Sequence, residues 1–454
     1  MKNKLAIYLS VLAMLFVVSS CFNDDDDSVN NPYAYIKSFS VGDITSLYPV
    51  FTETGKDTVA TKTISGSSFP FTIDHAACEI YNSDSLPFKT NLSKVLINMS
   101  VEGVATIYSE ENDAYEYFTL EDSIDFTTPR KFRITSQDGS YSNYYTVSVN
   151  AHQVEPDLMV WKRVSGSVSL NPQKAVEFDG KVYAFGTLAD RTPVMVCSEM
   201  DATISWSSFA RLGLPLSVDF STLHLFKGMF YVLADGDLYA SADALTWESV
   251  SQGNGFVAII GASDQDGRMW LAGGENIFCT EDAISFEAMG ALPKGLPLCG
   301  LSTSSYALSH NKGIIRYMLV GYTTAEKDGV PKVWSMLSTE NKWVEYGNVD
   351  NPYPCPALDG LAVLRYDNSL YAFGGKGTVS GEDVEAFGSF YVSRDNGIVW
   401  KAPDDFYRLL PNDIKGEECS FVAFVDSKNY MWILTDNNKV GVWRGIINRL
   451  GFKE

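Results

Sequence analysis

Residues that handle metals, phosphates or polyanions are scarce in this chain. Its 454 residues include four histidines, far apart, and seven cysteines with no CxxC pair among them. A zinc site needs such ligands at close spacing, so no metal is expected. Cations are also few: 35 Lys and Arg against 56 Asp and Glu leave a net charge of −21. No basic face remains to release counterions from phosphates, which excludes nucleic acid as a partner. G-x-S-x-G elbows, Walker loops and Cys/His nucleophile patterns are missing, and with them any motif that would imply a cofactor or a catalytic residue. Helical and heptad stripes are rare, which argues against an α-helical architecture.

What is present is apolar and aromatic. Hydrophobic residues make up 45% of the chain, with 24 Tyr, 26 Phe and 9 Trp. That supply fits an all-β protein with a sizeable core, and the length allows two or three domains. Apart from Cys21, the cysteines (78, 197, 279, 299, 355 and 419) sit mostly in apolar runs and read as small buried hydrophobes. No disulfide framework is expected.

The N-terminus carries an address. Lys2 and Lys4 precede an apolar run, Leu5 to Val18, too short to span a bilayer comfortably and suited to a signal peptide. The run ends in Val18-Ser19-Ser20-Cys21, which resembles a bacterial lipobox with Val18 where Leu is usual. The resemblance implies a signal peptide over residues 1–20 and lipidation of Cys21. Asp24, Asp25, Asp26 and Asp27 follow at once. A charge run is a solvated tether, here over residues 21–32. At this offset it also resembles the surface-export signal of Bacteroidetes lipoproteins, implying an outer-membrane protein, lipid-anchored and facing the cell exterior.

Residues 33–150 alternate short β runs with turn clusters. In "KFRITSQDGSYSNYYTVSVN", Phe132 and Ile134, then Tyr145, Val147 and Val149, alternate with polar residues around Asp138-Gly139. This predicts a hairpin with one buried face. Together with "IYNSDSLPF" and "DSIDFTTPRKF", the segment resembles the Ig-like or cadherin-like β-sandwich of Bacteroidales surface lipoproteins of unassigned function, in which a propeller follows. Residues 151–158 read as a linker.

Residues 159–454 repeat. Six aromatic and small-residue runs recur: "VYAFG" (182–186), "FYVLA" (230–234), "MWLAGG" (269–274), "YMLVGY" (317–322), "LYAFGG" (370–375) and "MWILT" (431–435). Taken as inner strands, they fit the blade length of a β-propeller. Outer strands are opened by Trp206, Trp247, Phe286, Trp343 and Trp400. That is one fewer than the runs, whereas Trp161 in "VWKRV" precedes the first run without a unit of its own. The economical solution is a six-bladed propeller closed by pairing its N- and C-terminal strands, which removes the open edges. Seven blades, with an irregular one in 300–360, is the alternative.

One turn accompanies these repeats. "SRDNGIVW" (393–400) resembles the Asp box of sialidases and related sugar-active propellers, with Asp395, Gly397 and Trp400 in the motif positions. "SADALTW" with Asp243, "TEDAISF" with Asp282 and "SEMDATISW" with Asp201 are shorter or altered copies. Recurrence predicts a structural device: the carboxylate caps backbone N–H groups of the turn, Gly397 supplies positive φ, and the aromatic wedges between blades. A sialidase would also need an arginine triad. Arg191-Thr192-Pro193 is only loosely like the Arg-x-Pro signature and follows a run instead of opening one. The expectation is a non-catalytic propeller head binding carbohydrate, with long insertions at 323–333 and 375–389 on a blade rim. A divergent sialidase-like glycoside hydrolase and an adhesin or scaffold for a protein partner are the alternatives. The expected partners are the membrane, through the lipid, and a glycan or surface protein.

Overall fold

The computed structural model describes residues 32–51, 57–200, 203–324, 329–347, 351–403 and 407–452. Cys21, Asp24, Asp25, Asp26, Asp27 and Asp201 lie outside the described residues. The chain divides into two compact units, Met1–Pro156 and Asp157–Glu454.

The first unit is built on a six-stranded sheet, with Ser142–Ser148 and Arg130–Thr135 at its centre. Two further pairs join Tyr35–Val41 to Ile97–Glu102 and Asp43–Phe51 to Asp57–Ser65. The central hairpin turns at Gly139, where φ is +71°, and Asp138 Oδ1 accepts the Ser140 N–H at 2.9 Å. Its alternating residues Phe132, Ile134, Tyr145 and Val147 are buried with Ile36, Ile80 and Leu86. Asn82 is a buried amide that spends its hydrogen bonds on backbone: Nδ2 donates to Asp84 and Asn150 carbonyls, and Oδ1 accepts the Asn150 N–H.

Among the described residues the second unit contains seven antiparallel sheets: six follow one another along the chain, and a small three-stranded one starts between the fourth and fifth. Sheets 1 to 4 have four strands each and begin with Asn171–Phe178, Asp219–Phe226, Phe256–Ser263 and Cys299–Leu308. Sheet 5 begins with Ala362–Tyr366 and has three strands. Sheet 6 runs Phe421–Val425, Met431–Thr435, Val442–Ile447, and its fourth strand is Met159–Ser165 from the start of the unit. The first two strands of a sheet are joined by tight hairpins. Lys227-Gly228 and Asp367-Asn368 each have two consecutive positive φ values, the backbone that matches the twist of the strands on either side.

The six aromatic runs are the second strands of these sheets, not the innermost ones. The first strands are the inner ones: each neighbours the first strand of the next sheet, and that of sheet 6 neighbours that of sheet 1. Second strands are buried on both faces, which is why they are continuously apolar. The 375–389 insertion contains a hairpin, Gly377–Val379 with Glu382–Val384, paired to Ala357–Leu358.

Every junction between successive sheets has its own core cluster. Phe185 and Phe230 join sheets 1 and 2, Leu233 and Met269 join 2 and 3, Trp270 and Tyr317 join 3 and 4. Met318 and Leu370 join sheets 4 and 5, Tyr371 and Ile433 join 5 and 6, and Trp432 with Val182 joins 6 to 1. In the last sheet Trp161 lies opposite Gly445. A Cβ at Gly445 would stand 2.5 Å from the Trp161 ring, so the close strand approach requires glycine there.

Candidate functional site

The turns that carry Asp243, Asp282 and Asp395 are each held by their own carboxylate. Asp395 Oδ1 accepts the Ile398 and Val399 N–H groups at 3.2 and 3.0 Å and the Ser393 hydroxyl at 2.7 Å. Gly397 has φ +93°, its N–H donates to Ser393 Oγ, and its carbonyl accepts the Trp400 indole N–H at 2.9 Å. Asp243 accepts from the Leu245 and Thr246 N–H groups, and Asp282 from those of Ile284 and Ser285. In these shorter turns Ala244 and Ala283 take the positive φ that Gly397 takes in the longer one. The aromatics close the junctions: Trp400 is buried between sheets 4 and 5, Trp247 packs between 1 and 2, and Phe286 between 2 and 3.

In the two shorter turns, backbone N–H groups favour the ionised carboxylate: those of Thr246 and Leu245 lower the Asp243 pKa. The Ser285 and Ile284 N–H groups pull the Asp282 carboxyl down to about 2, against about 3.9 in an unfolded chain. Because the folded value is the lower one, the turn's contribution is present above about pH 4 and is lost as pH falls toward 2. Denaturant unfolding at pH 6 and pH 2.5 is expected to show a smaller acid loss in Asp282→Asn than in the wild type. Asp395→Ala is expected to cost about 1 kcal/mol, as loss of a cap does, and to leave ligand binding unchanged. Loss of binding in a fully folded Asp395→Ala protein would contradict the structural role.

The chemistry that the sequence did not announce lies along the first strands. His224 in sheet 2 contacts the Thr222 carbonyl through Nδ1 at 2.8 Å and Thr303 Oγ1, in sheet 4, through Nε2 at 2.7 Å. A carbonyl only accepts, so Nδ1 carries the proton and Nε2 accepts from the threonine hydroxyl. Burial, with the charge of Lys174 next, lowers the His224 pKa to about 3, so the imidazole is neutral at ordinary pH. Lys174 in sheet 1 is itself lowered by burial, with Asp219 acting in the opposite direction. Residues from three sheets thus meet across the ring. No spacing rule could have paired them, since the meeting depends on the ring itself.

Two cavities open where the first strands begin, and they share Asn171. One, of ≈ 710 Å³, is lined among others by Asn171, Gln173, Thr187, Arg191, Leu216 and Asp436. The other, of ≈ 400 Å³, is lined by Asn171, Asp359, Lys376, Glu418 and Phe421 among others. Gln173 falls at a register shift between Pro172 and Lys174, and such bulges re-aim side chains. Arg191 has φ +64° in the Leu188–Thr192 turn, which is closed by hydrogen bonds in both directions. The arginines singled out in the sequence are dispersed. Arg191 lines the larger cavity, and Arg211 lies in the outer strand Ala210–Arg211. Arg268 pairs with Glu281, and Arg394 borders a separate cavity of ≈ 320 Å³ beside Asp395. Among the described residues no three histidine, cysteine or carboxylate groups gather as a metal site, and the cysteines outside residues 1–31 are free thiols.

The DUF6242 beta propeller domain matches residues 155–454, and the domain of unknown function (DUF6242) N-terminal domain matches residues 42–149. The chain belongs to the DUF6242 family. Residues 155–454 are accordingly a β-propeller domain. No curated protein matches this DUF6242 chain. Among solved structures it is similar to a family AA12 carbohydrate-active enzyme of Trichoderma reesei, at 11% identity and TM-score 0.40 over 64% of this chain and 96% of that one. It is similar to an extracellular domain of a one component system from B. thetaiotaomicron, at 13% identity and TM-score 0.32 over 75% of this chain and 38% of that one. A third is AofleA from Arthrobotrys oligospora, at 12% identity and TM-score 0.32 over 63% and 92%. Likeness at this level says nothing about ligand or activity.

Proposed function

We propose that this DUF6242 protein is a surface-exposed outer-membrane lipoprotein whose six-bladed propeller is a non-catalytic head that binds carbohydrate. Cys21 carries the lipid, the Asp24–Asp27 run directs the protein outward, and the first unit is an Ig/cadherin-like β-sandwich that serves as a stalk. The observation that carries the binding reading is the pair of cavities sharing Asn171. Asn171 and Gln173 offer amides that both donate and accept, Arg191 and Lys376 donate, and Asp436 and Asp359 accept. Among the described residues, no side-chain hydrogen bond or ion pair engages Asn171, Gln173 or Arg191. Such a mixed set of donors and acceptors, with Leu216 and Phe421 beside it, suits the alternating hydroxyls and apolar faces of a sugar ring. Six inter-sheet clusters in a closed circuit support the blade count.

A glycan array run beside a panel of chromogenic glycosides tests the reading. Binding without turnover is the expected result. Turnover would replace it with a sialidase-like hydrolase, and silence from both would replace it with an adhesin or scaffold for a protein partner.

A further inference from the structure

A second cluster, between sheets 4 and 5, concentrates positive charge without a carboxylate to match it. Tyr306 and Arg316 are cross-strand partners in sheet 4, and Arg365 comes from the first strand of sheet 5. The Arg365 guanidinium lies over the Tyr306 ring with Cζ 4.1 Å from the centroid. Tyr306 Oη donates to Asn396 Oδ1 at 2.7 Å, which ties the ring to the Asp-box turn of sheet 5. Arg316 spends Nη1 on Ser335 Oγ and the Tyr346 hydroxyl. The two guanidinium charges act on the same tyrosine and on each other.

Among the described residues, no hydrogen bond or ion pair engages the Arg365 guanidinium, and no ion pair engages Arg316. The nearby carboxylate that acts on Arg365, Asp367, is already hydrogen-bonded to Arg449. In a chain with net charge −21, two half-buried arginines without an acid between them are unusual. Guanidinium groups present planar forks of N–H donors that match an oxyanion two bonds at a time. Stacking on Tyr306 fixes one fork in place before any ligand arrives.

We propose that Arg316 and Arg365, held by Tyr306 and Tyr346, form a binding site for an oxyanion, either a carboxylate or a sulfate group. It stands independently of the carbohydrate reading, because it lies on other residues and uses none of those lining the Asn171 cavities.

The test is calorimetric titration of the full chain with sodium sulfate and with sodium acetate, each at ionic strength matched by sodium chloride. The Arg365 Nε–Hε resonance is followed by NMR in the same series. Wild-type protein is expected to bind at least one of the two anions and to shift that resonance. Arg365→Gln is expected to weaken binding at least tenfold, and Arg316→Gln likewise, whereas Arg365→Lys should fall between. Sulfate also stabilises proteins by exclusion from their surface, but that effect would be equal in wild type and variants. Unchanged binding in Arg365→Gln, or a wild-type arginine resonance unmoved by both anions, would overturn the proposal. Sulfate binding without acetate binding would assign a tetrahedral oxyanion, and the reverse a carboxylate.

Discussion

Trp432→Ala is expected to destabilise the propeller by about 3–5 kcal/mol, the range for emptying a buried Trp or Phe site. Trp432 is fully buried and lies in the cluster that joins sheet 6 to sheet 1, beside Val182, Ala184 and Val164. It stacks on Phe424 at 5.9 Å with the rings nearly parallel. Its indole N–H donates at 2.8 Å to Oδ2 of Asp426, whose Oδ1 caps the Lys428 and Tyr430 N–H groups. The alanine therefore leaves both a cavity and a buried carboxylate oxygen without its donor, and each adds to the loss. Trp432→Phe keeps most of the packing but removes the hydrogen bond and part of the ring volume, so a smaller loss of about 1–3 kcal/mol is expected. Denaturant midpoints measure both. A loss under about 1 kcal/mol in Trp432→Ala would contradict the closing role given to this junction.

Cys21→Ser is expected to move the protein from the membrane fraction to the soluble one almost completely. The reading rests on Val18-Ser19-Ser20-Cys21 after an apolar run, and no other anchor is invoked. Under the proposed reading the acyl chains on Cys21 supply the two membrane signals that stable lipid anchoring takes, and a serine there would carry neither. Equal partition of wild type and Cys21→Ser, with no lipid on the wild-type cysteine, would contradict the lipobox. Replacing Asp24, Asp25, Asp26 and Asp27 by alanine is expected to protect the anchored protein from protease added to intact cells.

The parts legible in the sequence were those governed by short-range rules. The second strands stood out because burial on both faces makes them continuous apolar runs, as in "FYVLA" and "MWILT". The Asp-box turns were legible because a carboxylate capping N–H groups two to four residues on is a local device. The first strands were much harder to see. Asn171–Phe178 mixes Pro, Gln, Lys and Glu with apolar residues, and no residue of Cys299–Leu308 is fully buried. A strand packed against the first strands of both neighbouring sheets loses the clean alternation that marks a half-buried one. That is why the aromatic runs read as inner strands from the sequence alone. The Lys174–His224–Thr303 group and the Arg316–Arg365 pair were invisible for a related reason. Their members come from different sheets, and only the register and the circuit of sheets bring them together.

The polar cavities at the starts of the first strands carry the functional account, so the most direct measurement is a binding isotherm there. A glycan selected from the array would be titrated against wild type, Asn171→Ala and Gln173→Ala, with Asp395→Ala as the remote control. The account predicts at least a tenfold loss of affinity in the two cavity variants, an unchanged isotherm in the control, and no glycoside turnover in any of them. Full affinity in both cavity variants, or turnover that disappears with Asp395, would contradict it.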